Sequence, residues 1–151
     1  MKKIDAGSKQ AMFRVIDANF NRFKEGLRVT EDIIRFIFED KKLFIRAKKL
    51  RHSLDFILKR EIGSKSIRFR DSKKDLGQKA DELEIKRNAV GDILIANIQR
   101  SKESIRVLEE FAKILDRNSV SKIKEIRYQI YSLEKEALLS YVYNFKKDKK
   151  L

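Results

Sequence analysis

One stretch of the chain occurs twice, and this internal repeat restricts the fold more than any other feature. Residues 18–31 and 96–109 align without gaps, and eight of the fourteen positions are identical: Ala, Asn, Arg, Lys, Glu, Arg, Val and Glu. Chance agreement would give about one identity, so we interpret the two stretches as copies of a duplicated segment. In both copies the apolar residues recur at spacings of three and four, as in an amphipathic helix.

The first half of the chain is predicted to form two helices. The first helix runs from an N-cap at Ser8 to about Glu39, because a serine hydroxyl can accept from an amide of the first turn. The second helix begins after an N-cap at Asp40 and extends to about Arg60, with Gly63 as a stop signal.

The second half is predicted to repeat this arrangement. A third helix covers about 89–116, and a fourth, capped by Asn118 or Ser119, reaches about 145. Two helices repeated as a pair predict a single all-α domain over 1–151, a four-helix bundle built from a duplicated two-helix hairpin. The predicted boundaries are about 8–60 for repeat 1, 61–88 for a long irregular connector with a helical turn near 81–87, and 89–145 for repeat 2.

Composition excludes several classes of function. The chain has no cysteine and one histidine, His52, which excludes a thiol nucleophile, a disulfide framework and a Cys/His zinc site. There is no signal-peptide pattern and no apolar run long enough to span a bilayer, so we expect a cytoplasmic protein without a membrane partner. The 37 Lys and Arg residues against 23 Asp and Glu give a net charge of +14. This charge favours anionic partners, although a Lys-rich proteome explains it equally well.

The repeat retains its polar residues better than its apolar ones. Phe20 becomes Ile98 and Leu27 becomes Ile105, whereas an Asn, two Arg and two Glu recur unchanged. Packing alone would favour the opposite pattern, so we interpret the retained polar side chains as candidates for a functional site. Gly26 supports this view, since a mid-helix glycine costs about 0.5–1 kcal/mol relative to alanine. It indicates a close approach by either the sister helix or a ligand.

The charged and amide side chains of the repeat that are candidates for function fall into two sets. Four in the first copy lie opposite the centre of the apolar stripe, where intrahelical ion pairs in solvent explain them best: Lys24, Arg28, Glu31 and Arg35. The second set borders the stripe and consists of Asn19, Arg22, Glu25 and Asp32, with their copies Asn97, Arg100, Glu103 and Glu110. We expect the two copies of this set to face each other across a cleft. Converging arginines and carboxylates suit a phosphorylated ligand and Mg²⁺.

Three further motifs accompany the repeat: Leu50-Arg51-His52, the connector motif from Arg70-Asp71 to Gly77, and Arg127-Tyr128 through Glu134. Together with Asp17 to Asp32 and Ala96 to Glu110, this ordered set resembles the helical hydroxymethylpyrimidine-phosphate kinase family. The domain of that family is often fused ahead of thiamine-phosphate synthase. The resemblance covers about residues 13–136, and the chain is similar to the stand-alone form of the domain.

The resemblance implies transfer of a phosphoryl group from ATP, with Mg²⁺, to the phosphorylated pyrimidine, giving hydroxymethylpyrimidine diphosphate in thiamine biosynthesis. The implied catalytic residues are Arg22, Glu25, Asp32, Arg100 and Glu103. The implied substrate- or ATP-binding residues are Asn19, Arg28, Arg51, His52, Arg70, Asp71, Asn97, Arg106 and Arg127. The residues implied to coordinate Mg²⁺ or to orient the acceptor hydroxyl are Glu25, Asp32, Glu103 and Glu110.

Two other classes of function stay open at this stage. A basic helical nucleic-acid-binding module would explain the net charge, but the acidic residues kept within the repeat disfavour it. A non-catalytic helical partner or regulator of a thiamine-biosynthesis enzyme would use the polar repeat as an interface. Contact with thiamine-phosphate synthase and assembly into a homo-oligomer also stay open.

Overall fold

The computed structural model describes residues 5–78 and 86–146, and throughout these ranges the chain is all-α, as predicted. Five α-helices lie in this part of the chain: α1 (Ala6–Phe36), α2 (Lys41–His52), α3 (Glu61–Arg68), α4 (Val90–Leu115) and α5 (Val120–Lys146). In the same described ranges, short 3₁₀ turns cover Asp55–Lys59, Ser72–Lys74 and Arg117–Ser119. None of the described helices combines the length and the apolar character needed to cross a bilayer.

The helix starts are set by short polar side chains. Asp40 caps α2 as predicted, and its carboxylate accepts from the amide of Leu43 at 2.9 Å. The predicted cap of α1 is wrong, because Asp5 takes this role and accepts from the amide of Ser8 at 2.8 Å. A carboxylate three residues earlier therefore moves the start of α1 and places Ser8 inside the helix. At α4, Asp92 reaches back to the preceding backbone amides.

The structure contradicts the predicted end of the second helix and the predicted role of Gly63. The helix α2 ends at His52, and Gly63 lies inside α3, which follows a 3₁₀ turn. A Cβ atom on Gly63 would overlap the carbonyl oxygen of Ile57 and lie 2.7 Å from the Cα of Leu58. Glycine therefore lets α3 pack directly on the preceding turn. The connector is thus partly helical, and the helical turn predicted near 81–87 falls largely outside the described residues.

The helices α1 and α4 pack along each other in antiparallel orientation. At one end, Tyr141 of α5 contacts Phe38, just after α1, and also Gly91 at the start of α4. At the other end, Arg60 pairs with Asp116 just after α4, and α3 packs on the first half of α1.

The helix α2 packs on α1, α5 packs on α4, and α2 also contacts α5. The five described helices and the first 3₁₀ turn contribute to one apolar core, which includes Ile16, Phe23, Leu27, Ile34, Ile57, Ile62, Leu94, Ile98, Ile105, Leu108, Ile123 and Ile130.

Gly26 marks the closest approach of α1 and α4. A Cβ atom there would overlap the hydroxyl of Ser101 and lie 2.5 Å from the carbonyl oxygen of Asn97. The Ser101 hydroxyl in turn donates to the carbonyl oxygen of Phe23 at 3.1 Å. Of the two explanations for this glycine, contact with the sister helix is therefore correct.

Candidate functional site

A cavity of about 830 Å³ lies between the first half of α1 and the segment that follows α3. It brings together the first motif and the connector motif, although Asp17 and Arg70 are 53 residues apart. The polar residues that line it are Arg14, Asp17, Asn21, Arg22 and Glu25 from α1, and Arg70, Asp71, Ser72, Lys74 and Asp75 from the connector. The predicted cleft between the two repeats is therefore not where this cavity lies, since no residue of α4 lines it.

An ion pair between Arg70 and Asp17 holds the connector against α1. The Nε and Nη2 atoms of Arg70 donate to the two carboxylate oxygens of Asp17 at 2.6 and 2.7 Å. Asp17 is buried, and its hydrogen bonds raise the pKa of the Arg70 guanidinium above its ordinary value. A second tie comes from Arg14, whose Nη2 donates to the carbonyl oxygen of Asp71 at 3.3 Å. Because a bidentate pair fixes both partners in orientation, one wall of the cavity is preorganised.

Arg22 and Glu25 present charges to the cavity that no side chain within residues 5–78 and 86–146 pairs with. Both residues are exposed, and within the described part of the chain neither makes a hydrogen bond or an ion pair. Their copies in α4 are exposed as well. Arg100 is similarly unpaired among the described residues, and Glu103 accepts a hydrogen bond from Gln99 at 2.9 Å. Arg22 and Glu25 are therefore available to a ligand in the cavity.

The side chains of the two repeated asparagines form hydrogen bonds within their own helices. The Nδ2 of Asn19 donates to the carbonyl oxygen of Val15 at 2.9 Å, and that of Asn97 donates to Ile93 at 2.8 Å. Neither asparagine lines the 830 Å³ cavity. Each keeps one side-chain oxygen as an acceptor.

Glu31 is buried, which contradicts its predicted position in solvent. Its carboxylate accepts from the Nε of Arg51 on α2 at 2.7 Å and from Arg28 at 3.3 Å. Arg28 also lies 3.3 Å from Asp32, whose Oδ1 is buried without a hydrogen-bond partner in the described structure. Glu31 and three predicted site residues, Arg28, Asp32 and Arg51, therefore form one cluster at the contact between α1 and α2, away from the 830 Å³ cavity.

An equivalent cluster occurs between α4 and α5. The buried Glu109 accepts from the Nε of Arg127 at 2.6 Å and from Arg106 at 3.4 Å. Arg106 also pairs with Glu110 at 2.6 Å. A hydrogen bond from Lys113 lowers the pKa of Glu110 below its ordinary value, helped by the charge of Arg106.

His52 and its counterpart Tyr128 both lie on the surface. The Nδ1 of His52 is 2.9 Å from Asp55, which also pairs with Lys24 at 2.5 Å. Burial alone would raise the pKa of Asp55, but the hydrogen bonds from Lys24 and His52 outweigh it and lower this pKa. In the other half, the ring of Tyr128 packs edge-on against Tyr131 with the centroids 5.7 Å apart.

The prediction from sequence missed several residues that line the cavity. Asp17, Asn21 and Lys74 lie within the motifs, and Arg14 lies one turn before Ala18. The spacing of Arg14, Ala18 and Arg22 places them on one face of α1, which was the available signal. Only the folded connector shows that this face borders a cavity.

The carboxylates of the cavity fit a magnesium ion that is shared with phosphates. Among the described residues, no three His, Asp or Glu side chains are grouped closely enough to hold a metal ion by themselves. Mg²⁺ needs only one or two carboxylates when phosphate oxygens and water complete its shell. Glu25 is unpaired, and Asp71 and Asp75 each use one oxygen for a backbone amide of the connector. Within the described residues, at least one carboxylate oxygen of Glu25, Asp71 and Asp75 is thus free to act as a ligand.

Fold and cavity together define a protein that is all-helical in its described residues, with a polar site lined by both cationic and carboxylate side chains. The sequence profile of the ThiD2 family matches residues 14–136. The chain therefore belongs to the ThiD2 family.

Curated relatives include longer proteins named thiamine-phosphate synthase. The chain is 35% identical over 127 residues to that of Nostoc punctiforme, covering 83% of this chain and 35% of the relative. It is 37% identical over 128 residues to that of a Synechocystis species, covering 84% and 36%. It is 38% identical over 131 residues to that of Prochlorococcus marinus, covering 83% and 35%. The chain thus spans about a third of the length of these relatives, and no solved structure matches it significantly.

Proposed function

We propose that the chain is an ATP-dependent, Mg²⁺-requiring kinase of thiamine biosynthesis that converts hydroxymethylpyrimidine phosphate into its diphosphate. The observation that carries this proposal is the 830 Å³ cavity, where the unpaired Arg22 and Glu25 meet Arg70 and Lys74 of the connector. Membership of the ThiD2 family and the relatives named thiamine-phosphate synthase support a place in the same pathway.

The proposed reaction joins two anions, and this explains the need for several cations. An oxygen of the substrate monophosphate attacks the γ-phosphorus of ATP, a new P–O bond forms, and the bond between the γ-phosphorus and the β–γ bridging oxygen breaks to release ADP. The acceptor is therefore a phosphate oxygen and not a hydroxyl. Since the second pKa of a phosphate monoester is about 6, the acceptor is already charged at neutral pH and requires no general base. Positioning and charge neutralisation supply the catalysis.

The cavity residues fall into two proposed roles. Arg22 and the free Nη1 of Arg70 bind phosphate oxygens, with Lys74 as a further cation. Glu25, together with Asp71 or Asp75, provides oxygen ligands for Mg²⁺. Each role uses an atom that makes no hydrogen bond within the described residues, so the ligand does not have to displace an existing contact.

The second copy of the repeat has a supporting place in this proposal. Arg100 adjoins Ser101 and Glu25 adjoins Gly26, and these neighbours form the contact between α1 and α4. Arg100 is therefore proposed to approach the bound phosphates from α4, with Glu103 one turn away. The matching pairs Glu31–Arg51 and Glu109–Arg127 support the duplication itself.

A coupled assay of ADP release, with hydroxymethylpyrimidine phosphate, ATP and Mg²⁺, tests the proposal. We expect Arg22→Ala and Glu25→Ala each to lower kcat/KM about 100-fold or more, as the loss of a group aimed at the transition state does. The exposed residues Lys124 and Glu125 of α5 provide matched controls, and Lys124→Ala and Glu125→Ala should retain full activity. A folded wild-type protein without turnover would overturn the kinase assignment.

A second function is favoured by the length of the relatives. Because the chain spans about a third of proteins named thiamine-phosphate synthase, it is also suited to act as a non-catalytic helical partner of such an enzyme. If the purified chain shows no turnover but changes the kinetics of a purified thiamine-phosphate synthase, this second function would replace the first.

A further inference from the structure

A second, smaller cavity adjoins the polar one. Its volume is about 200 Å³, and it lies between α1, the 3₁₀ turn after α2, and α3. Three residues line both cavities: Asp17, Asn21 and Arg70. The ion pair between Arg70 and Asp17 therefore lies at the boundary between a large polar space and a small pocket.

The small cavity is mainly apolar. Ile16, Phe20 and Ile57 line it and are buried in the core. Leu58 and Ile67 also line it, yet they are 50% and 58% exposed. Large aliphatic side chains that stay exposed at the edge of a pocket lose contact with water when an apolar group enters. This arrangement suits a largely apolar ligand.

Volume restricts that ligand to a single ring. An apolar cavity of about 150 Å³ is large enough for benzene. The cavity of about 200 Å³ therefore holds one six-membered ring with small substituents, but not a purine joined to a ribose. The polar cavity is four times larger and has the cations that phosphates require.

The polar atoms shared by the two cavities include acceptors on Asn21 and Asp17. Asn21 uses its Nδ2 to donate to the carbonyl oxygen of Asp17 at 2.9 Å, which leaves its side-chain oxygen as an acceptor. The carboxylate of Asp17 is a second acceptor. Both therefore favour a ring that carries a donor such as an amino group. The remaining donor of Arg70, its Nη1, suits a phosphate at the boundary.

We infer that the small cavity binds a monocyclic, amino-substituted heteroaromatic ring, and that the phosphate-bearing arm of this ligand passes Arg70 into the polar cavity. The inference rests on the proposed function and deepens it, since it assigns the pyrimidine to the pocket of α3 and the triphosphate of ATP to the larger space.

The test fills the small cavity from its edge. Ile67→Trp places a large side chain at the mouth of the pocket, and Ile114→Trp is the matched control, because Ile114 is 55% exposed on α4 and lines neither cavity. Binding of hydroxymethylpyrimidine phosphate and of methyl phosphate is measured by calorimetry, and the KM values of the pyrimidine and of ATP are measured by ADP release. Circular dichroism confirms that both variants fold.

We expect Ile67→Trp to raise the Kd and the KM of the pyrimidine phosphate at least tenfold, while methyl phosphate binding and the KM of ATP stay within twofold of wild type. Ile114→Trp should match wild type throughout. Turnover with an unchanged pyrimidine KM in Ile67→Trp would overturn the ring assignment and leave the kinase standing. Absence of turnover, combined with pyrimidine binding that Ile67→Trp weakens, would overturn the kinase and support the ring assignment. A wild-type protein that does not bind the pyrimidine phosphate would overturn the ring assignment.

Discussion

Two buried glutamates hold equivalent positions in the two halves of the molecule. Glu31 pairs with Arg51 across α1 and α2, and Glu109 pairs with Arg127 across α4 and α5. The two closest N–O distances, 2.7 and 2.6 Å, are nearly the same. In both halves an exposed arginine one turn earlier adds a second ion pair to the glutamate. This inner arrangement belongs to the scaffold that both halves share.

The surroundings of the two glutamates differ. Beside the first pair, the carboxylate of Asp55 contacts both Lys24 and His52. Beside the second pair, Arg127 donates to the hydroxyl of Tyr131, and this hydrogen bond raises the pKa of its guanidinium. Of the two repeated helices, α1 and α4, only α1 lines the 830 Å³ cavity, because α3 and the connector pack on α1. The comparison indicates that the two Glu–Arg ion pairs support the fold of both halves, whereas the cavity depends on α3 and the connector, which pack on α1 in the first half.

The largest effect should follow from breaking either buried pair. We expect Glu31→Ala and Glu109→Ala each to cost about 3 kcal/mol, because the partly buried guanidinium groups of Arg51 and Arg127, 15% and 13% exposed, lose the buried carboxylate with which they pair. Urea denaturation measures both, and Glu125→Ala, on the surface of α5, should stay within about 0.5 kcal/mol of wild type. Clearly unequal losses would contradict the equivalence of the two halves.

The stability of the contact between α1 and α4 should be more sensitive to substitution of Gly26 on α1 than to substitution of the equivalent residue on α4. We expect Gly26→Ala to cost about 2 kcal/mol, because its Cβ would overlap Ser101 and press on the Asn97 carbonyl oxygen. The equivalent position on α4 is Ser104, which already carries a side chain and donates to the carbonyl oxygen of Arg100. Ser104→Ala should cost only about 1 kcal/mol, the value of one hydrogen bond. Equal losses in thermal denaturation would show that α1 and α4 do not differ in this way.

A smaller effect should appear at the ion pair that joins the two halves. The hydrogen bond from Arg60 lowers the pKa of Asp116 below its ordinary value of 3.8. A carboxylate with a lowered folded-state pKa adds stability above pH 3.8 and loses it as the pH falls through the folded-state pKa. The stability difference between wild type and Asp116→Asn should therefore be full at pH 7 and shrink below pH 3.8. A difference that does not change with pH would contradict this origin.

The smallest effect on stability should come from His52 and Tyr128, which hold equivalent positions in the two halves but differ in residue type. His52 and Tyr128 are both exposed, and neither is part of a buried ion pair. We expect His52→Ala and Tyr128→Ala each to change the free energy of unfolding by less than about 0.5 kcal/mol. A larger loss in either variant, measured by urea denaturation, would show that its surface cluster also supports the scaffold.

The regular helices could be predicted from the sequence because their signals are local. The third predicted helix, about 89–116, agrees with α4 (Val90–Leu115), and the cap at Asp40 is confirmed. Apolar spacing and a capping side chain act within a few residues, so neighbouring residues suffice to locate them. Ser8 failed as a cap because Asp5, an equally good local signal, was available nearby.

The candidate site was predictable in its motifs but not in its geometry. The sequence pointed to Arg22, Glu25, Arg70 and Asp71, and these residues do line one cavity. It placed the cleft between the two repeats, however, whereas the cavity lies between α1 and the connector. The position of the cavity was mispredicted because α3 was not predicted. Gly63 was interpreted as a helix stop, but it lies inside α3, where it packs against the carbonyl oxygen of Ile57.

The sequence alone determined the all-α class, the repeat and the chemistry of the polar residues, since these follow from periodicity and residue type. Only the tertiary structure decided which charges are buried and which are free. Helical projection places Glu31 on the solvent face and Glu25 nearer the apolar stripe, yet the structure buries Glu31 against Arg51 and leaves Glu25 exposed at the cavity. The burial of a charge depends on a partner that is distant in sequence, and no local pattern records that partner.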